Sequence, residues 1–259
     1  MRAMAIIPAR YASSRFPGKP LAKIGGVEMI VRVCRQVAKT GVEVLVATDS
    51  EAIKNCVEQA GYRAVMTSEH HRTGTDRVRE AYDKSGAEVD VIINVQGDEP
   101  FIDPSQIEAL IACFEDSATD IATLSRRFDP ARGFEALFDP NLVKLVTGLD
   151  GRALYFSRSI IPYVRNTDWQ QWLKTTDFKM HVGVYAYRPS VLRAISELPQ
   201  SELEKAESLE QLRWLENGYR IKVAETSTPT IGIDTPADLE EAEKYLKEIE
   251  KTAEVSKER

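Results

Sequence analysis

Cysteine is scarce in this chain of 259 residues: only Cys34, Cys56 and Cys113 occur. They are odd in number and far apart, with no C-x-x-C pair and no histidine at zinc-site spacing. That excludes a disulfide framework or a structural zinc site and leaves buried thiols in a reducing compartment. Long apolar runs are missing as well, since nothing approaches the roughly 18 consecutive apolar residues of a membrane-spanning helix. The N-terminal apolar run stops after a few residues, too soon for the core of a secretion signal. The expectation is a cytoplasmic protein with no membrane partner. Positive charge is in deficit, with a net charge of −6, whereas a general nucleic-acid binder usually carries a basic face strong enough to tip the whole domain. Four motifs are absent too: G-x-G-x-x-G, G-x-x-x-x-G-K-[S/T], G-x-S-x-G and H-E-x-x-H. Dinucleotide oxidoreduction, P-loop hydrolysis, α/β-hydrolase chemistry and zinc proteolysis therefore lose their usual signatures. Phosphoryl or nucleotidyl transfer without a P-loop remains.

What is present is ordinary globular material, 43% apolar and 29% charged, long enough for a sizeable core. In the first half, short β-branched runs alternate with amphipathic stretches, the pattern of βαβ units around a parallel sheet. Strands are predicted at Met4–Ile7, Val42–Ala47, Arg63–Met66 and Val89–Val95, and helices at Val27–Lys39, Glu51–Ala60, Thr75–Lys84 and Pro104–Phe114. The middle turns strand-rich, with Ile121–Arg126, Leu142–Thr147, Ala153–Phe156 and His181–Tyr187, a hairpin at Leu149-Asp150-Gly151 and a short helix near Ala131–Phe138. The polar segment Arg165–Thr176, with Trp169 and Trp172, reads as a mobile excursion or a partner-contacting flap. Ser201 and Glu204 suit a capping box for a helix reaching Asn217, followed by a strand Tyr219–Ala224. Thr235-Pro236-Ala237-Asp238 opens a last helix to about Glu250. With no repeat or linker, the reading is one domain, 1–259, with a β-rich lobe at about 140–190 that could serve as a dimer surface.

Three constellations carry chemistry. The stretch from Ile6 to Pro20 follows the first strand, is broken from it by Pro8, and holds Arg10, Arg15 and Lys19, the hydroxyls Ser13 and Ser14, and a rigid Pro-Gly-Lys-Pro end. Cations and free amides in a loop at a strand's carboxyl end suit a polyphosphate. The second, Asn94 to Pro100, puts Asp98 beyond a flexible Gly97 at the end of another strand, where open α/β sheets bind ligands. One of the acids there can hold Mg²⁺, which takes one or two carboxylates plus phosphate oxygens. The third is Asp234, not needed as the cap because Thr235 already fills that position, so Asp98 and Asp234 form the candidate metal pair. Arg77 stands in the first turn of a helix, against the dipole's preference, which points to an anionic or carbonyl partner.

These blocks together resemble the sugar-acid cytidylyltransferases. The likeness runs in order through Pro8 to Leu21, Thr48-Asp49, Thr73 to Arg77, Asn94 to Pro100, Ala153 to Arg158, Ile161-Pro162, His181 to Arg188, Leu209 to Arg213 and Gly232 to Pro236. It implies a nucleotide-diphospho-sugar transferase-like, Rossmann-like α/β fold with a mostly parallel central sheet flanked by helices and a smaller β-rich dimerisation lobe. It also implies transfer of CMP from CTP to a sugar acid, 3-deoxy-manno-octulosonate, for lipopolysaccharide biosynthesis in a cytoplasmic homodimer. Arg10 and Lys19 would hold the triphosphate with Ala9, Ser13 and Ser14 near them. Gly74 and Arg77 would select cytosine, and Asp98 and Asp234 would bind Mg²⁺. Gln96, Arg158, His181, Tyr185, Glu210 and Gln211 would form the sugar pocket. An 8-amino analogue or a sialic acid as acceptor, or a non-catalytic nucleotide-binding protein, stand as alternatives. Phe16, where the family often has leucine, and the 165–176 segment depart from its pattern.

Overall fold

The computed structural model describes residues 1–12 and 16–257, with side chains through 251; the candidate residues Ser13 and Ser14, and Arg15 beside them, lie outside the described residues. The architecture is α/β, with a mostly parallel sheet flanked by helices. In chain order the strands are β1 (Ala3–Ala9), β2 (Lys23–Ile24), β3 (Val27–Glu28), β4 (Glu43–Thr48), β5 (Arg63–Met66), β6 (Val91–Asn94), β7 (Ile121–Arg127), β8 (Lys144–Thr147), β9 (Ala153–Ser157), β10 (Lys179–Tyr187) and β11 (Ile221–Glu225). The α-helices are α1 (Met29–Ala38), α2 (Glu51–Gln59), α3 (Gly74–Ser85), α4 (Pro104–Ala112), α5 (Trp172–Thr175), α6 (Pro189–Ser196), α7 (Glu202–Glu207), α8 (Glu210–Glu216) and α9 (Pro236–Lys257).

The chain divides into two compact units. The first comprises Arg2–Val89, Asn94–Pro104 and Pro229–Arg259. In it β1 pairs in parallel with β4, from Met4 opposite Glu43 to Ala9 opposite Thr48, and β4 pairs in parallel with β5. Met4 to Ile7 are fully buried, as expected of parallel strands covered on both faces. β1 does not stop at Pro8: it runs through it, opposite Ala47, and ends one residue later, so the proline costs one ladder donor near the strand's end rather than the strand. α1 buries Met29, Ile30, Val33 and Val37 at helical spacing. The expected helix start at Val27 is corrected, because Gly25 and Gly26, at φ 54° and 76°, turn a two-residue hairpin between β2 and β3. Ala242 and Leu246 of α9 close over Ile24, Met29 and Ile233.

The second unit comprises Met1, Asp90–Ile93 and Ser105–Thr228. β7 pairs in parallel with β11 and antiparallel with β10, and β8 pairs antiparallel with β10 and β9. Strands β8, β9 and β10 lie within 140–190. The helix expected from Ser201 to Asn217 is two helices: the capping box of Ser201 and Glu204 forms, but Ser208 adopts φ 51° and breaks the run before α8. α6, with Pro189 at its first position, was signalled by that proline and is absent from the sequence reading. Near 131–138 there are two 3₁₀ turns, Pro130–Arg132 and Phe134–Phe138, in place of a helix.

The 165–176 segment carries a 3₁₀ turn, Trp169–Gln171, and then α5. Trp172 is only 6% exposed and packs with Phe128, Phe134, Phe178 and Met180, while its indole N–H donates to the Thr167 carbonyl at 3.1 Å. Losing such a side chain typically costs about 3–5 kcal/mol, so Trp172 anchors the segment instead of belonging to a flap. Trp169 is the exposed one, at 47%. Of the cysteines only Cys34 is fully buried; burial pushes its thiol up to about 12, which keeps it protonated and unreactive.

Candidate active site

At the carboxyl end of β1 the first unit encloses a cavity of about 260 Å³. Its walls come from four stretches: Pro8, Ala9 and Arg10; Lys19 and Pro20; His71 to Gly74 with Arg77; and Gln96 to Asp98 with Asp234. Every residue expected at the nucleotide and metal positions that the structure describes therefore lines one cavity. Each is delivered by a local device. Gly18 takes φ 70°, a left-handed conformation that suits glycine, and its N–H returns to the Tyr11 carbonyl at 3.0 Å. That closes the loop and starts the 3₁₀ turn Lys19–Leu21, with Pro20 fixing its first step.

Lys19 is the pivot. Its Nζ lies 2.6 Å from Asp98 Oδ2 and 3.2 Å from Asp234 Oδ1, with the lysine side chain 14% exposed and the carboxylates 30% and 51%. Asp98 is held by the turn that follows Asn94, where the Glu99 N–H donates to the Gln96 carbonyl at 3.2 Å, and its own carbonyl accepts the Ile233 N–H at 3.0 Å. That bond brings the Asp234 segment alongside. The α9 cap is made by others: Asp238 Oδ2 accepts the N–H of Asp234 and both the N–H and hydroxyl of Thr235, and the Thr235 hydroxyl accepts the Asp238 N–H. Burial works against ionisation of Asp238, and those hydrogen bonds outweigh it and hold its carboxyl below the usual range. Asp234 can therefore turn its carboxylate to Lys19.

Among the described residues no group of three or more metal-ligating side chains gathers. Two carboxylates converging on a single cationic atom nevertheless fit a hard divalent ion, which completes its shell with phosphate oxygens and water.

Gly97 permits the close approach between this turn and β1. A Cβ built there would lie 2.9 Å from the Pro8 carbonyl oxygen, a main-chain atom. Gln96 Nε2 donates to Asn94 Oδ1 at 3.2 Å. Arg77 is 3% exposed, and its guanidinium donates to Asp49 Oδ2 at 2.7 Å and Thr67 Oγ1 at 2.6 Å. The partner inferred from its place in a helix's first turn is thus a carboxylate. Asp49 stands directly after β4, as Asp98 stands after β6, so the criterion that singled out one could have found the other. His71, not expected at the site, pairs with Glu80. Burial pushes the Glu80 carboxyl upward, but Lys84, the Ser68 N–H and His71 together bring it down to about 2.

Of the residues expected in a sugar pocket, Gln96 lies in this cavity and the other five lie in the second unit. His181 and Tyr185 neighbour each other on β10 with ring centroids 5.3 Å apart, and Tyr185 meets Trp214 edge-on at 5.1 Å. Thr123 Oγ1 sits 2.9 Å from both His181 Nε2 and the Val184 carbonyl. The same hydroxyl lies 3.3 Å from the Val182 carbonyl. His181 keeps some exposed surface, but its ring lies against Phe156 and Tyr185, and desolvation pushes its pKa down to about 3. Burial, with Tyr187 and Glu210 nearby, drives the Tyr185 phenol well above its ordinary value. Both are neutral groups at physiological pH. Glu210 opens α8 and pairs with Arg213 at 2.8 Å. Gln211 is 4% exposed, and its Nε2 has no hydrogen-bond partner among the described residues. Arg158 donates to the carbonyls of Glu207, Pro140 and Ser208 at 2.5, 2.7 and 3.3 Å, so its guanidinium binds main chain here.

A family model described as cytidylyltransferase matches residues 4–222. The 3-deoxy-manno-octulosonate cytidylyltransferase of Phocaeicola vulgatus is 57% identical over 250 residues, covering 96% of this chain and 99% of its own. That of Geobacter sulfurreducens is 47% identical over 257 residues, covering 95% and 100%. A solved CMP:2-keto-3-deoxy-manno-octonic acid synthetase complexed with CTP superimposes with a TM-score of 0.87 at 42% identity, covering 96% of this chain and 99% of that one.

The Gly97 geometry yields a stability test. Gly97→Ala is expected to destabilise the protein by about 1–3 kcal/mol through overpacking against main chain, read as a lower urea midpoint. Gly74→Ala, whose Cβ would meet the Pro8 ring at 3.5 Å and Gln96 Oε1 at 3.9 Å, both ordinary contacts, should be neutral or stabilising by up to about 1 kcal/mol. Equal midpoints for Gly97→Ala and the parent would contradict the close approach.

Proposed function

The chain belongs to the cytidylyltransferase family, and we propose that it transfers CMP from CTP to 3-deoxy-manno-octulosonate (Kdo), giving CMP-Kdo and pyrophosphate for lipopolysaccharide biosynthesis. The observation that carries this reading is the meeting of Lys19 with Asp98 and Asp234 on the wall of one cavity, in a chain whose relatives are named for this reaction across nearly their whole length.

The anomeric hydroxyl of the sugar attacks the α-phosphorus of CTP. One oxygen–phosphorus bond forms as the hydroxyl proton passes to solvent, the bond from the α-phosphorus to the β-phosphate oxygen breaks, and pyrophosphate leaves in line. Such a transfer asks the protein for positioning and charge neutralisation rather than a covalent nucleophile. Arg10 at the cavity's rim and Lys19 in its wall hold the triphosphate, with the Ala9 main chain and the Ser13 and Ser14 hydroxyls beside it. Gly74 leaves room for the base, and Arg77 selects cytosine. Asp98 and Asp234 are the residues that would hold Mg²⁺, which when bound neutralises phosphate charge and lowers the pKa of an attacking hydroxyl. The triphosphate then takes over Lys19, which in its absence contacts both carboxylates.

On the acceptor, Gln96, His181, Tyr185, Glu210 and Gln211 supply neutral donors and one carboxylate for sugar hydroxyls. Gln211 Nε2, without a partner among the described residues, supports this, since a buried donor without a partner costs about 1–3 kcal/mol until a ligand or water fills it. Arg158, assigned to the sugar carboxylate, would have to exchange a carbonyl partner for it. The same reading makes the protein a cytoplasmic homodimer, supported by exposed Phe138, Tyr163 and Trp169 on the second unit.

The test is a pyrophosphate-release assay with CTP and each of three purified acids: Kdo, its 8-amino analogue and a sialic acid. Kdo should give the highest kcat/KM; a preference for the nine-carbon acid, or no release with any acid, overturns the assignment. Light scattering at micromolar concentration should return a dimer mass, and a monomer would remove the homodimer.

A further inference from the structure

Two polar walls of the cavity, the cationic loop after β1 and the start of α3, share one anchor. Asp49 leaves the carboxyl end of β4 with its side chain 13% exposed. Its Oδ2 accepts from Arg77 at 2.7 Å, and its Oδ1 accepts the Tyr11 N–H at 3.2 Å. Each contact continues into the site. Beyond Arg77, the same guanidinium reaches Thr67 Oγ1 at 2.6 Å, and the Thr67 N–H is fixed on the Thr48 carbonyl at 2.8 Å, one residue before Asp49. Beyond Tyr11, that residue's carbonyl accepts the Gly18 N–H at 3.0 Å, and Gly18 directly precedes Lys19. The two ends of the loop therefore close on a residue that Asp49 holds.

We propose that Asp49 is a positioning residue for nucleotide binding. It holds the Arg77 guanidinium in the cavity wall and, through Tyr11 and Gly18, fixes the base of the loop that presents Arg10 and Lys19. The inference rests on the reading of this cavity as the CTP site. The electrostatics give the reason for a carboxylate here. Arg77 is a cation at the positive end of α3, where the helix dipole repels it, and it is buried, so an anion beside it is needed to hold it in place. One carboxylate with two oxygens satisfies the guanidinium and the loop's N–H together. An amide keeps an acceptor for Tyr11 but loses the charge that restrains Arg77; alanine loses both.

The experiment measures CTP binding by calorimetry for the parent, Asp49→Asn and Asp49→Ala, at a temperature where circular dichroism shows each folded, together with KM for CTP and for Kdo. Asp49→Asn should weaken CTP about tenfold and Asp49→Ala about 100-fold, the scale of one and then two lost hydrogen bonds, at least one of them to a charge, with KM for Kdo within about twofold of the parent. Asp49→Asn, which keeps the Tyr11 contact, carries the test if the alanine variant does not fold. Parent-like CTP affinity in the asparagine variant, or equal increases in both KM values, overturns the positioning role. A parent that binds no CTP sinks the reading of the cavity and the inference with it, whereas a parent that binds CTP alongside an unaffected Asp49→Asn sinks the inference alone.

Discussion

The first unit's site depends on one ammonium group held between two carboxylates. Lys19, Asp98 and Asp234 are 79 and 215 residues apart in sequence along the two pairs, and two carboxylates gathered at one place repel unless a cation lies between them. Each pair is partly exposed, so neither contributes more than about 1 kcal/mol to stability. Their importance lies in placement. The fold supplies the means: Gly18 and Pro20 aim the lysine, Gly97 lets the Asp98 turn come up to β1, the Ile233 hydrogen bond brings in Asp234, and Thr235 with Asp238 relieves Asp234 of capping α9. A centre so arranged sets one cation and two carboxylates together on the wall of a single cavity.

The second unit is built differently. There the polar groups His181, Tyr185 and Gln211 are uncharged and largely buried, the first two packed against aromatic rings. Desolvation, which penalises the charged forms, keeps the histidine and the phenol neutral across the physiological range. The charged residues there are used on the protein itself, Arg213 on Glu210 and Arg158 on main-chain carbonyls.

Much of this was legible in the sequence because it rested on local chemistry. The parallel strands were visible as β-branched runs, the capping box at Ser201 and the Thr235 cap as short motifs, and the candidate acids as carboxylates placed just after strands or beside a cap. What escaped depended on tertiary contacts or on a single dihedral. Pro8 looked like a strand end, yet β1 continues one residue past it. Ser208 carries no helix-breaking signature, and its left-handed φ splits one expected helix into two. Trp172 sits in a polar stretch that gives no hint of the aromatic cluster receiving it. The Asp49–Arg77 pair joins residues 28 apart, and spacing alone does not reveal which carboxylate a buried arginine will find.

Turnover in Asp98→Asn and Asp234→Asn tests the central arrangement most directly. Each replacement keeps the side chain's size and removes one negative charge from the cluster around Lys19. With circular dichroism unchanged, kcat for CMP-Kdo formation should fall by about 100- to 1,000-fold in each, the scale seen when a preorganised charge-stabilising group is lost from an active site. Full activity in either variant would contradict it.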